Sequence, residues 1–184
     1  MGKPDLKDPR TLYRTEPFQE QEQASPALQD QMHPKPDCGE EHYRGAQRLL
    51  DRKVLITGGD SGIGRAVAIA FAREGADIAL QYLPGEEVDA QEVAQLVRDA
   101  GRKIALIPAD FRKPQIASQV VETAQQQIGT LDTLVLNAAQ QIAHPSITEL
   151  PIEQVQDSFN VNVVAMYALV QAALPQLPAG ASIL

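Results

Sequence analysis

The chain has 184 residues, 43% of them apolar, and a formal net charge of −8 at pH 7. That is enough for one domain with a core plus an extension. The acidic balance excludes the basic patch of a nucleic-acid footprint, and with no tryptophan and only 4% aromatic residues a base-stacking platform is excluded too. A single cysteine, Cys38, excludes an internal disulfide framework and fits a reducing, cytoplasmic compartment.

The first residues, Met1-Gly2-Lys3-Pro4-Asp5-Leu6, are too polar for a secretory signal. Leu6 stands where an N-myristoylation motif after Gly2 needs Ser or Thr. Residues 1–45 form an extended Pro/Gln-rich arm, with six of the 13 prolines before residue 37. Such a segment cannot offset its ordering entropy by burial alone. It is expected to be a flexible arm, or one that orders only against another surface. The domain proper is expected over residues 46–184.

From Leu50 the pattern changes. Val54–Thr57 reads as a central strand, and Gly62–Glu74 as a helix with Ile63, Val67, Ile69, Ala70 and Phe71 at helical spacing before Gly75. Asp77–Leu83 is a second strand, Glu86–Ala100 a helix, and Lys103–Ala109 a third strand. A helix follows from Pro114, a residue suited to a helix start, to Gly129. Leu131–Asn137 is a fourth strand. A long helical region runs from about 152 to 174 with an interruption near Asn160–Asn162. Its most apolar run, Val163–Val170, is far short of a membrane span, so no membrane partner is expected.

This alternation implies an α/β fold, a Rossmann-type doubly wound parallel sheet with its ligand at the carboxyl ends of the strands. Ser182-Ile183-Leu184 read as the first residues of a fifth strand, so the sheet is expected to be incomplete on its C-terminal side.

The stretch Thr57-Gly58-Gly59-Asp60-Ser61-Gly62-Ile63-Gly64-Arg65-Ala66 joins a strand to a helix through spaced glycines. Such a turn brings bare N–H groups to the positive end of a helix, where a pyrophosphate can sit. Three other chemistries fail on particular residues. A P-loop needs Lys and Ser/Thr where Arg65 and Ala66 stand. A nucleophile elbow around Ser61 needs Gly where Ile63 stands. The Gly-Asp-Ser-Gly string of chymotrypsin-like proteases lacks evident His and Asp partners here. His33, His42 and His144 show no ligand spacing with Cys or carboxylates, so no metal site is expected.

The run Thr57-Gly58-x-x-x-Gly62-Ile63-Gly64 resembles the cofactor motif of the short-chain dehydrogenase/reductase family. Asp110 after the third strand, Leu136-Asn137-Ala138-Ala139 after the fourth, and Asn162 in Phe159-Asn160-Val161-Asn162-Val163 fall in the family's order. The runs Gly58–Ala66, Tyr82-Leu83-Pro84 and Pro36-Asp37-Cys38-Gly39 resemble a bacterial subgroup with a long N-terminal extension. Its members are described as NADP-dependent aldehyde reductases or general-stress oxidoreductases. The resemblance implies cofactor contacts at Thr57, Gly58, Asp60, Ser61, Gly62, Ile63, Gly64, Tyr82, Leu83, Asp110, Phe111, Asn137 and Ala138. It implies a catalytic-tetrad role for Asn162, supporting a lysine through water. It also implies a small carbonyl or alcohol substrate and a homodimer or homotetramer.

There are departures. The family's Asn-Asn-Ala-Gly is Leu-Asn-Ala-Ala here, and no Ser after a fifth strand or Tyr-x-x-x-Lys follows. At the end of the second strand, Tyr82 and Leu83 replace the carboxylate that would hold the ribose hydroxyls of NAD. This favours NADP, with NAD possible. Glu86 and Glu87 read as first-turn helix acids. The expectation is an oxidoreductase that reduces an aldehyde or related carbonyl in its complete form. The 184 residues alone are expected to show no turnover and weak or absent NADPH binding. The alternatives are an inactive nucleotide-binding fragment or a non-functional truncated product.

Overall fold

The computed structural model describes residue 6, residues 8–11 and residues 17–184; Gly2 and the rest of the arm's start lie outside the described residues. Five parallel strands form one sheet in the order β3-β2-β1-β4-β5. They are β1 (Lys53–Thr57), β2 (Asp77–Tyr82), β3 (Ile104–Pro108), β4 (Thr133–Val135) and β5 (Ser182–Ile183). The helices are α1 (Gly62–Arg73), α2 (Glu87–Asp99), α3 (Ala117–Ile128), α4 (Ile152–Phe159) and α5 (Ala165–Ala173).

Side chains alternate across a strand, and here both faces are covered, which is why the strands read as nearly continuous apolar runs. Val54, Ile56, Ile78 and Leu80 pack with Ala68, Ala72 and Val93 of α1 and α2. Leu55, Ala79, Ala105, Ile107 and Leu134 pack on the other face with Val120, Ala124 and Leu169 of α3 and α5. Every residue of β2 is buried. The sheet is the doubly wound arrangement, and its order reverses between β1 and β4.

The helix expected from Pro114 begins as a 3-10 turn, Pro114–Ile116, before α3. The interruption near Asn160 is a π-helical turn, Asn160–Val164, that joins α4 to α5. Val163–Val170 is short, yet the helical stretch Ile152–Gln176 as a whole is long and apolar enough to cross a membrane by length and composition. In the fold, Ala165, Leu169 and Ala173 of this stretch are buried in the core. α4 buries no residue at all.

The described part of the arm lies along α1 and α2 with little regular structure, and its hydrogen bonds fix it there. Asp89 of α2 is fully buried and accepts from the amides of Gln29 (2.6 Å) and Asp30 (3.1 Å). Arg65 of α1 is buried between Glu40 of the arm and Glu92 of α2, each at 3.0 Å. Arg73 donates to the carbonyls of Gly39, Glu40 and Tyr43. Ordering this segment costs entropy at every residue, and buried charges with complementary partners supply the return that its composition lacks.

Glu74 closes the arm. Its carboxylate accepts from the amides of Ala46 (2.8 Å) and Arg48 (3.0 Å), from the Arg48 guanidinium and from the Tyr43 hydroxyl. The Arg48 guanidinium and then the Tyr43 hydroxyl hold the Glu74 carboxyl well below the ordinary carboxylate range. The stabilisation is present above the unfolded value of about 4.3 and fades as pH falls below it. Glu74→Ala is expected to abolish amide-exchange protection at Ala46 and Arg48 at neutral pH. Lowering the pH of the unmutated chain should reproduce that loss only well below about 4, as the depressed Glu74 carboxyl itself takes up a proton.

Candidate functional site

The β1–α1 turn sits at the carboxyl end of the sheet, and buried polar side chains hold it. Gln81 of β2 is the bridge: its Oε1 accepts from Gly58 N (3.0 Å) and its Nε2 donates to Ala109 O (2.7 Å). The Gln81 carbonyl also accepts from Gly59 N at 3.1 Å. Ends of β1, β2 and the segment after β3 are thereby tied through one side chain. On the other side Thr57 Oγ1 accepts from the amides of Asn137 (2.9 Å) and Ala138 (3.0 Å). Asn137 Nδ2 donates back to the carbonyls of Thr57 (3.1 Å) and Gly58 (2.9 Å). β1 and β4 are therefore cross-linked where the strand order reverses, the place where ligands bind in open α/β sheets.

Gly64 is set by close approach. A Cβ there would lie 2.0 Å from Gly58 O and 2.7 Å from Asn137 Nδ2. Helix α1 can press against the turn only without a side chain at this position.

A cavity of about 820 Å³ opens over these turns. Of the residues expected to bind a cofactor, Gly58, Asp60, Ser61, Leu83, Asp110, Phe111, Asn137 and Ala138 line it. Thr57 lies fully buried beneath them. Gly62 and Gly64 shape the turn from behind. Tyr82 is not on the wall: it is buried in the core under α1 and α2. Ile63 is 76% exposed and also off the wall. Asn162 lies in the π-helical turn and pairs with the loop after β4, accepting from Gln140 N (2.8 Å) and donating to Gln140 O (2.9 Å).

The charged groups on the wall differ in state. Arg112 grips both oxygens of Asp110 (2.6–3.0 Å) and holds that carboxyl below its usual range. Asp60, 2% exposed, is pushed up by burial and by the charge of Asp89, and its Oδ2 has no hydrogen-bond partner. Glu86 stands just before α2 and turns back, its Oε2 accepting from Leu83 N at 3.2 Å. It is thus a wall residue rather than a first-turn helix acid.

The sequence model of the short chain dehydrogenase family matches residues 52–183. The chain belongs to that family. It is 51% identical over 179 residues to the oxidoreductase YghA of Escherichia coli, over 97% of this chain and 61% of YghA. It is 33% identical over 170 residues to NADPH-dependent aldehyde reductase 1, chloroplastic, of Arabidopsis thaliana, over 90% of this chain and 59% of that protein. The solved short chain dehydrogenase from Burkholderia cenocepacia J2315 in complex with NADP aligns with a TM-score of 0.70 and 36% identity. That match covers 74% of this chain and 55% of the other. The chain spans about three fifths of the length of the curated relatives it matches, 61% and 62% for two of them.

In this short chain dehydrogenase the site contains residues that the sequence reading did not single out. Gln81 announces itself only as an uncharged polar residue inside an apolar strand. Glu86 looks like any helix-start acid until its side chain is seen to fold back. Gln23, Ser25, Pro26 and Ala27 of the arm also line the cavity, and Gln29 Oε1 accepts from Gly62 N at 2.7 Å. No local pattern signals those contacts.

Thr57→Val keeps the shape of the side chain and strands the amides of Asn137 and Ala138. It is expected to lower unfolding stability by about 2–3 kcal/mol, read as a lower denaturation midpoint at unchanged slope.

Proposed function

We propose that residues 46–184, with the arm at 1–45, are the cofactor-binding part of an NADP(H)-dependent oxidoreductase that reduces an aldehyde or related carbonyl. The cavity at the β1/β4 switch point, walled by the glycine turn, carries this reading. The close approach at Gly64 and the position of the turn at the N-terminus of α1, beside the cavity, fit a dinucleotide, whose pyrophosphate such a helix end favours. The cofactor supplies the hydride when bound. Ser61 and the α1 N-terminus would hold the phosphates, Gln81 and Asn137 keep the turn in shape, and Asp110 and Phe111 would close the side after β3.

Support for NADP comes from the NADP-bound Burkholderia structure and the NADPH-dependent Arabidopsis relative. The latter's name supports an aldehyde as substrate. The sequence contains no Tyr-x-x-x-Lys, so the reading assigns these residues cofactor binding and Asn162 a supporting place, with no proton donor among them. On this reading the described residues that line the cavity are enough to bind NADPH, where weak or absent binding is the expectation from the sequence.

Phe159 (61% exposed), Tyr167 (72%), Val163 and Val164 leave an apolar face on the α4–α5 stretch. It supports a homo-oligomer joined through that face. Tyr167→Glu is expected to shift the sedimentation mass towards the monomer. A cytoplasmic protein fits this reading, and the free Cys38 supports it; recovery in the membrane fraction after lysis would count against it.

The main test is NADPH binding by the 184-residue chain, followed by the cofactor's fluorescence. A Kd on the order of 10 μM is expected. Ser61 stands at the N-cap position of α1, where Asp is a favoured residue, and Ser61→Asp sets a negative charge where the phosphates would lie. It should weaken binding at least about tenfold without loss of thermal stability. Unchanged affinity in that variant would remove the glycine turn from the binding site.

A further inference from the structure

Residues 21–33 of the arm close on themselves as one loop. At its neck Gln21 Nε2 donates to His33 O (2.8 Å) and Gln21 Oε1 accepts from His33 N (2.9 Å). Inside it Gln23 makes the same pair of bonds with Leu28, donating to the carbonyl at 3.0 Å and accepting from the amide at 2.9 Å. Two glutamine side chains thus take the place of a strand ladder, and surface loops closed by their own side chains are frequently functional. Ser25, Pro26 and Ala27 at the tip line the cavity. Pro26 lies against the β2–α2 turn, so close that a Cβ on Gly85 would stand 3.0 Å from its Cγ.

The base of the loop is fastened behind the cavity wall. The buried Asp89 carboxylate holds the amides of Gln29 and Asp30. Gln29 is itself 2% exposed, and its Oε1 accepts from Gly62 N at 2.7 Å. Gly62 opens α1, and the first amides of a helix have no acceptor within it. The arm supplies one for the glycine turn, as Gln81 does from the sheet side at Gly58. With the arm in place a cavity of about 820 Å³ remains, within the range of small-molecule and cofactor sites. The loop therefore walls the site and does not fill it.

We propose that the loop 21–33 is a clamp on the bound dinucleotide, with Gln29 as the positioning residue that ties it to the glycine turn, so that arm docking and NADPH binding favour each other. The proposal rests on the dinucleotide reading of the cavity. A ligand that touches both the tip and the turn binds the docked arm more tightly than the lifted one. By linkage it then holds the arm down by the same factor. The chain carries its own reporter of that motion. Cys38 is its one cysteine, lies on the arm, and is buried against Gln29 Nε2 (3.5 Å) and Gly62 O (3.6 Å). A thiol reagent reaches it when the arm lifts.

The test follows Cys38 labelling of the full chain by dithiobis(nitrobenzoate), with and without NADPH, while cofactor fluorescence gives the Kd. Gln21 is exposed and is not among the residues lining the cavity. Gln21→Ala opens the neck of the loop without touching the core, and it should speed labelling severalfold. NADPH at about ten times its Kd should slow labelling about tenfold, in wild type and in this variant alike. Gln29→Leu removes the acceptor for Gly62 N and should raise the Kd for NADPH about tenfold. Should that variant fail to fold, Gln21→Ala decides. NADPH that binds and leaves the labelling rate unchanged overturns the clamp. Faster labelling with NADPH means that arm and cofactor compete, and overturns it as well. An unchanged Kd in folded Gln29→Leu overturns the positioning role of Gln29. Absence of NADPH binding by the wild-type chain overturns the dinucleotide reading, and the clamp with it.

Discussion

A buried amide group governs the shape of this molecule at its working end. Gln81 lies in the middle of three strands, in a position where an apolar residue would pack equally well. Its side chain instead satisfies the Gly58 amide and the Ala109 carbonyl. Both groups lie where strands end and chains depart in different directions, so no ladder partner exists for them. Buried main-chain groups of this kind must be paired, and one side chain with a donor and an acceptor does so for two of them. Thr57 and Asn137 repeat the solution on the β4 side. The glycine turn is rigid because its neighbours, rather than the turn itself, make the hydrogen bonds.

The same economy of partners explains the arm. Its composition is that of a segment unable to fold alone, and in the described residues it forms almost no regular structure. It is held by side chains of the helices: Asp89, Arg65, Arg73 and Glu74. Asp89, Arg65 and Glu74 are almost fully buried. Charges so placed are costly when unpaired, so helix and arm depend on each other. The arm also brings Pro26 to the cavity, and the site is thus built from both parts of the chain.

Much of this was legible in the sequence. The strands and helices appear where apolar spacing puts them, because a sheet covered on both faces writes itself as short apolar runs between amphipathic helices. The glycine turn was legible because close approach leaves room for no side chain at Gly64; Asp110 and Asn137 were legible through the family resemblance, and both line the cavity. Tyr82 was less so. Adjacent residues of a strand face opposite sides, and the pattern could not tell that Leu83, beyond the strand end, meets the cavity while Tyr82 enters the core. Ile63 shares the motif's numbering but projects from α1 into solvent. Glu86 was hidden by its neighbours, since two glutamates before a helix carry an ordinary meaning. The arm's contacts join residues far apart in sequence, 25 positions for Glu40 to Arg65 and 60 for Gln29 to Asp89, and no periodicity records such pairs.

Those separations also bear on the order of assembly. The arm's partners lie on α1, at its end and on α2, from Gly62 to Glu92, on either side of β2 in the β1–α1–β2–α2 unit. None forms a docking surface until that βαβα unit has closed, and the arm has no core of its own on which to nucleate. An arm made before the helices that hold it is, in this fold, among the last parts to find its place.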